Sequence, residues 1–230
     1  MTAQLKYPTP HTTALLAQKE TTPSYPFKAL ENVNPATASP TETRIPTGTK
    51  CLLLKTDYEG YIEYCNSAFE TVSGYTEQEI VTQHFSLLWH PDMPKTLYRL
   101  MQEHLARRKN FLMVQKNLTA DGRYYWSITE IHTKINYASN TVSGHFFYQN
   151  EAAGWILHEI EPIYHALLHM EKERGINEAV AYFKHFLESQ QHSYLSYIER
   201  LTTGILFSKR IARLQRRIFD TSRTKNFFTD

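Results

Sequence analysis

Between residues 51 and 148, strand patterns stand at both ends of the segment and helix patterns stand between them. Short runs of aliphatic, β-branched and aromatic residues bounded by turn residues are typical of strands. The sequence has five such runs, at residues 51–55, 61–64, 111–119, 123–135 and 142–148. The first two are joined across residues 57–60, and the third and fourth across a tight turn at residues 121–122. Connections this short favour antiparallel hairpins.

The helix signals lie between the second and third strands. Ser67 with Glu70, and Thr76 with Glu79, have the spacing of a capping box, and Gly74 is well placed to end the first short helix. A longer helix is predicted further on, where apolar residues recur at helical spacing: Leu97, Leu100, Met101 and Leu105. The order of strands and helices predicts an α+β fold with a five-stranded antiparallel sheet.

From about Glu151 the pattern is helical to the end of the chain. Pro162 predicts the start of a new helix, Gly175 its end, and Asn177 the N-cap of the next. A last helix is predicted from Tyr194 to Phe219. We therefore divide the chain into a leader (1–47), an α+β domain (48–150) and a helical C-terminal region (151–230).

Composition narrows the class of protein. Seven of the ten prolines fall in residues 1–47, which predicts a disordered leader. The formal net charge of +2 and the lack of a recognisable module argue against nucleic acid as a partner. With no signal peptide and no run of about 18 apolar residues, we expect a cytoplasmic protein without a membrane-spanning helix. The sequence also lacks a phosphate loop, a nucleophile elbow and a kinase signature, so we expect no enzymatic activity.

Three sequence blocks in register resemble a known family. They are residues 56–76, the segment Trp89–Lys95 (WHPDMPK), and residues 116–126, which contain Lys-Asn and Asp-Gly-Arg-Tyr-Tyr-Trp. Together they resemble the PAS sensory domain of bacterial aerotaxis and energy-taxis receptors, over roughly residues 48–150. The helical tail is similar to that of short energy-taxis PAS proteins.

The resemblance implies a flavin, FAD, held in the cavity of the PAS domain. The residues that it places in or near that pocket are Asn66, Trp89, His90, Asp92, Asn117 and Trp126. It also implies a signalling role, in which the redox or energy state is sensed through the flavin. The partner would be a membrane-bound methyl-accepting transducer or another signalling protein, and a homodimer is a further expectation.

The residues themselves leave other interpretations open. Asp92 before Met93-Pro94 is also a good helix N-cap, Asn66 a turn residue, and Trp126 a core or interface residue. Where the family commonly has Arg before the His, this chain has Trp89, which supplies no charge. A cofactor-free PAS interaction or dimerisation module is therefore the alternative function, and heme is a less favoured cofactor.

Two polar sets outside the PAS-like segment have ordinary explanations as well. His158, His165 and His169 with Glu161 have roughly helical spacing, but a solvated helix face explains them better than a metal site. Basic and apolar residues alternate through residues 203–225, as in an amphipathic helix. Such a helix can pack on its own domain, dock into a partner's groove or lie on an anionic membrane surface.

Overall fold

A computed structural model of the chain describes residues 39–202. Its centre is a five-stranded, wholly antiparallel sheet in the order β2-β1-β5-β4-β3. The strands are β1 Leu52–Thr56, β2 Ile62–Cys65, β3 Phe111–Leu118, β4 Tyr124–Asn136 and β5 Thr141–Glu151. The predicted α+β fold with a five-stranded antiparallel sheet is thus confirmed.

Helices fill the gap between β2 and β3, as the capping signals predicted. They are α1 Ser67–Ser73, α2 Glu77–Ile80 and α3 Lys95–Ala106, with a 3₁₀ turn at Phe85–Leu88 between α2 and α3. The capping box of Thr76 and Glu79 is present, and Gly74 ends α1 in the left-handed conformation. The box predicted for α1 is wrong, because Asn66 rather than Ser67 is the N-cap.

Strand alternation gives the sheet two different faces. One face, which we call the inner face, is covered by the helices between β2 and β3. Phe147 of β5 meets Phe85 of the 3₁₀ turn there, with ring centroids 5.0 Å apart. The opposite, outer face carries Val114, Trp126 and Ile128, all buried. In β3 and β4 the sheet is therefore buried on both of its faces.

The C-terminal region consists of α4 Gly154–Arg174, α5 Ile176–Ser189 and α6 Tyr194–Thr202. Two local predictions fail here. Pro162 lies inside α4 rather than at a helix start, because buried residues on both sides of it hold the helix together across the missing hydrogen bond. Asn177 lies inside α5, whose N-cap is Gly175. Gly175 does end α4, as predicted.

Polar contacts tie the C-terminal helices to the sheet and to α3. The Tyr164 hydroxyl of α4 donates to the Val114 carbonyl of β3 at 2.7 Å. Glu171, near the end of α4, accepts from the Thr96 amide at 2.6 Å and from its hydroxyl at 2.7 Å. Glu171 thus caps the N-terminus of α3 from outside. Lys184 of α5 pairs with Glu103 of α3 at 2.8 Å.

The last residues of the predicted leader contact the domain. The Thr41 amide donates to the Gly122 carbonyl at 2.7 Å, and Ile45 to the Tyr124 carbonyl at 2.8 Å. Arg44 forms a parallel bridge with Tyr124. Residues 41–45 therefore extend the sheet beside the start of β4, although they precede the predicted boundary at residue 48.

Some predictions fall on segments outside the described part of the chain, namely residues 1–38 and 203–230. They are the disorder of most of the leader, the last helix beyond Thr202 and the amphipathic segment 203–225. No helix within residues 39–202 combines the length and apolar character needed to cross a membrane. Over the same residues, no group of three or more His, Cys, Asp or Glu side chains is placed to hold a metal ion.

Candidate functional site

The inner face of the sheet carries a row of buried polar side chains. Because side chains alternate along a strand, every second residue of β3, β4 and β5 points to this face. The buried polar residues on it near the β3 edge are Gln115, Asn117, Tyr125, Ser127, Thr129 and Gln149. Each of them is at most 2% exposed. A polar row this deep in a core needs hydrogen-bond partners.

Part of the row is satisfied internally. The Asn117 side-chain amide donates to Ser127 Oγ at 2.8 Å, and Ser127 Oγ lies 2.9 Å from Thr129 Oγ1. The Tyr125 hydroxyl donates to Gln149 Oε1 at 3.0 Å. Burial raises the pKa of Tyr125 far above its usual value, so the hydroxyl keeps its proton. These bonds hold the side chains in fixed orientations.

Three polar atoms beside this network have no hydrogen-bond partner among residues 39–202. They are Asn117 Oδ1, Gln115 Oε1 and the indole Nε1 of Trp89. Trp89 reaches the inner face because it forms an antiparallel bridge with Asn117, which places the two side chains on the same side. A buried polar group left without a partner costs about 1–3 kcal/mol. Two acceptors and one donor on neighbouring residues of one sheet face make this part of the core suited to a polar ligand.

His90 lies on the opposite side of the bridge. Its amide donates to the Lys116 carbonyl at 3.3 Å, and its ring meets that of Tyr124 at 5.5 Å on the outer face. Asp92 lies beside it, with Oδ2 at 2.5 Å from Lys116 Nζ and 3.4 Å from His90 Nδ1. Lys116 Nζ also lies 4.3 Å above the Tyr124 ring. Asp92 is not the N-cap of α3, which is Pro94.

The charges of this outer cluster are coupled. Burial lowers the pKa of His90, and the nearby Lys116 charge lowers it further, so the ring is neutral at pH 7. For Asp92, burial raises the pKa, but the hydrogen bond and charge of Lys116 outweigh it and the pKa ends below its usual value. The outer cluster is thus a neutral His beside a carboxylate–ammonium pair, which explains both residues without a ligand.

Asn66 has a structural role at the junction of β2 and α1. Its Oδ1 accepts from the Leu53 amide at 3.1 Å and from the Phe69 amide at 3.0 Å, and its Nδ2 donates to the Cys51 carbonyl at 3.0 Å. One side chain therefore caps α1 and fastens it to β1. A residue with three backbone bonds has little capacity left for a cofactor.

Replacing Asn66 by Ala is expected to lower the free energy of unfolding by about 2–3 kcal/mol, because one helix cap and two further bonds are lost. Urea unfolding measures the change. Asn66→Ser keeps an N-cap oxygen for the Phe69 amide and loses the bonds to Leu53 and Cys51, so its loss should be smaller than that of Asn66→Ala. Equal effects of the two substitutions would contradict this assignment.

Trp126 packs on the outer face, against α4. Its ring centroid lies 6.1 Å from that of Tyr164, and it is part of the main core. It faces away from Asn117, because Asn117 pairs with Tyr125 and Trp126 is the next residue along. Trp126 helps to join α4 to the sheet.

The structure therefore separates the six residues expected to lie at a flavin site. Asn117 and Trp89 meet on the inner face; His90, Asp92 and Trp126 lie on the other side, and Asn66 lies at a helix start. The sequence prediction missed five inner-face partners: Gln115, Tyr125, Ser127, Thr129 and Gln149. A signal for them exists in the sequence, since polar residues recur at alternate positions within predicted strands.

Comparison with known proteins agrees with this architecture. Residues 49–147 match the family model of the PAS fold. This part of the chain is a PAS domain. Over 116 residues the chain is 31% identical to the aerotaxis receptor of Escherichia coli, a stretch that covers 50% of this chain and 22% of the receptor. The PAS domain thus resembles part of the aerotaxis receptor, and the chain spans about a fifth of that receptor's length.

Solved structures of PAS and related domains are similar to the chain at a lower level. An RNA-binding light-oxygen-voltage receptor is 18% identical, with a TM-score of 0.43, over 51% of this chain and 34% of that one. A PAS domain from Colwellia psychrerythraea is 17% identical, with a TM-score of 0.39, over 44% of this chain and 86% of that one. Similarity of this extent carries no information on ligands.

Proposed function

We propose that the PAS domain is a sensory module that binds a flavin, FAD, and signals redox or energy state by contact with another protein. The observation that supports this most directly is the set of unpartnered polar atoms on the inner face, at Trp89, Gln115 and Asn117. Ligand sites are mostly apolar with a few converging polar groups, and this part of the core has that character.

The chemistry of these side chains fits a flavin ring. The pyrimidine edge of the isoalloxazine ring alternates acceptor, donor and acceptor. Asn117 Oδ1 and Gln115 Oε1 can accept from the ring N–H, whereas the amide hydrogens of Asn117 are bound to Ser127 Oγ and the Gln115 carbonyl. The Trp89 N–H can donate to a ring carbonyl. When bound, the flavin would supply reversible electron transfer, while the protein sets the hydrogen bonds and the dielectric around it.

A route from this site to the rest of the molecule is present in the structure. Gln115 follows Val114, whose carbonyl accepts from Tyr164 of α4. A change in the hydrogen bonds of Gln115 and Asn117 would alter β3 at the point where α4 is attached. The C-terminal helices would then shift between two packings, a common way for a local change to reach an interface. The partner that we propose is a membrane-bound methyl-accepting transducer, contacted by the domain alone or as a homodimer.

The visible absorption spectrum of the purified protein tests the ligand. We expect a yellow protein with flavin bands. Asn117→Ala should reduce flavin content several-fold, because it removes a carboxamide from the inner face. His90→Ala and the outer-face control Asn150→Ala should leave flavin content close to wild type. If all three variants lost flavin at equal amounts of folded protein, the assignment of the flavin to the inner face would be contradicted.

Two other results would replace the proposal. A strong Soret band would indicate heme. A colourless protein from cells with ample flavin, which also fails to take up added flavin, would favour the cofactor-free interaction module.

A further inference from the structure

Within residues 39–202, the buried polar part of the inner face carries no charged side chain. The buried polar groups of the described part of this face are carboxamides, hydroxyls, the Trp89 indole and the His145 imidazole. The imidazole is neutral at pH 7, because burial lowers its pKa to about 4. Among residues 39–202, Lys116 is the single Lys or Arg in the buried set. Its side chain lies on the outer face, bound to Asp92. Nothing on the inner face within the described residues could neutralise a buried phosphate.

Trp89 is held in a defined position on this face. The bridge to Asn117 fixes its backbone, and its ring meets Tyr98 edge-on, with centroids 5.3 Å apart and planes at 89°. Its Nε1 is buried and has no acceptor in the part of the chain that the structure describes. An indole N–H can only donate, and it carries no charge. It therefore suits a carbonyl oxygen or an aromatic nitrogen in the plane of a ring.

We propose that this site recognises only the uncharged ring of a flavin, and that Trp89 donates a hydrogen bond to it. This inference rests on the proposed flavin-binding function. A phosphate moved into this core would lose its hydration without gaining a counter-charge, which is strongly unfavourable. The phosphates of a bound flavin therefore stay in water and add little to affinity. Riboflavin, FMN and FAD then bind with nearly equal dissociation constants.

Titration of flavin-free protein with riboflavin, FMN and FAD tests this, with flavin fluorescence as the readout. If the protein is purified with flavin bound, the flavin is first extracted and identified by chromatography. The three dissociation constants should agree within about threefold. A tenfold difference in dissociation constant corresponds to about 1.4 kcal/mol of binding free energy. If FAD binds more than tenfold more tightly than riboflavin, a phosphate contact is present and the inference is overturned. Failure of all three to bind would instead contradict the proposed function.

Substitutions separate the role of Trp89 from general packing. Trp89→Phe keeps an aromatic ring and removes the N–H, so it should weaken all three flavins by about 5- to 10-fold and equally. Trp155→Phe, at a side chain that is 52% exposed on α4, is the matched control and should change none of them. Unchanged affinities in Trp89→Phe, with a wild-type melting temperature, would show that the indole N–H does not contact the ligand.

A charged side chain at the same position makes the opposite test. Trp89→Arg should raise the affinity for FMN and for FAD, each relative to that for riboflavin, by about tenfold, because a guanidinium can pair with a phosphate. The ratio is measured within one variant, so partial loss of folded protein does not affect it. A ratio that stays at the wild-type value would mean that the phosphates lie far from residue 89, and that the uncharged inner face does not set the preference.

Discussion

Replacing Gly144 with alanine is expected to destabilise the protein more than any other single methyl group added to the sheet. Gly144 lies in β5, and a Cβ atom built there would meet the Thr56 carbonyl oxygen of β1 at 2.1 Å. Because the clash is between the backbones of β1 and β5, no side chain can move to relieve it, and the two strands must separate locally. Forced overpacking of this kind costs about 3 kcal/mol or more. The melting temperature should fall by about 10 °C for a chain of this size.

Gly154 provides the matched control for this experiment. It lies in the first turn of α4, and a Cβ built there meets no atom within 4 Å. Alanine also has the higher helix propensity, so Gly154→Ala should be neutral or stabilising by up to about 1 kcal/mol. Thermal unfolding followed by circular dichroism compares the two variants. Gly144→Ala with a melting temperature near wild type would mean that β1 and β5 are less closely paired than described.

Acidification is expected to unfold the protein largely through His145. This side chain is fully buried on the inner face between Thr56 and Thr133, and burial lowers its pKa to about 4. In the unfolded chain a histidine titrates near pH 6.5. Since the folded-state pKa is the lower one, its contribution to stability is complete above about pH 6.5 and is lost as the pH falls toward 4. The loss is on the order of 3 kcal/mol between pH 7 and pH 4.

Urea unfolding of wild type and His145→Phe at several pH values measures this contribution. The variant should lose on the order of 3 kcal/mol less than wild type over the same interval. Some acid sensitivity should remain, because burial and Lys116 lower the pKa of His90 and its effect has the same sign. His158→Gln, at an 83% exposed side chain, should follow wild type. Parallel curves for wild type and His145→Phe would contradict the burial of a neutral imidazole.

The order of the strands and helices could be predicted because its signals are local. Capping residues, turn residues and apolar periodicity act within a few positions of one another, and the box at Thr76 and Glu79 formed as expected. Pro162 shows the limit of local rules. The buried face of α4 packs on α5 and α3 and, through Tyr164, on the sheet. This tertiary burial keeps the helix continuous where the local rule predicts a break.

The candidate site was harder to predict, because it depends on which face of the sheet each side chain reaches. Trp89 and His90 are adjacent in sequence, yet the bridge to β3 directs them to opposite faces. That bridge joins Trp89 to Asn117, 28 positions further along the chain, and no local sequence signal predicts it. The alternation of Gln115 with Asn117 was visible in the sequence. Its direction, toward the helices or away from them, required the structure.

The cap that Glu171 supplies to α3 has a consequence for the order in which the protein folds during synthesis. The segment that matches the PAS family, residues 49–147, leaves the ribosome before α4 does. Until Glu171 follows, the Thr96 amide and hydroxyl lack their partner, and the outer side of β3 lacks Tyr164. Domains form from the N-terminus during synthesis. The N-terminus of α3 is therefore capped only once α4 has been synthesised.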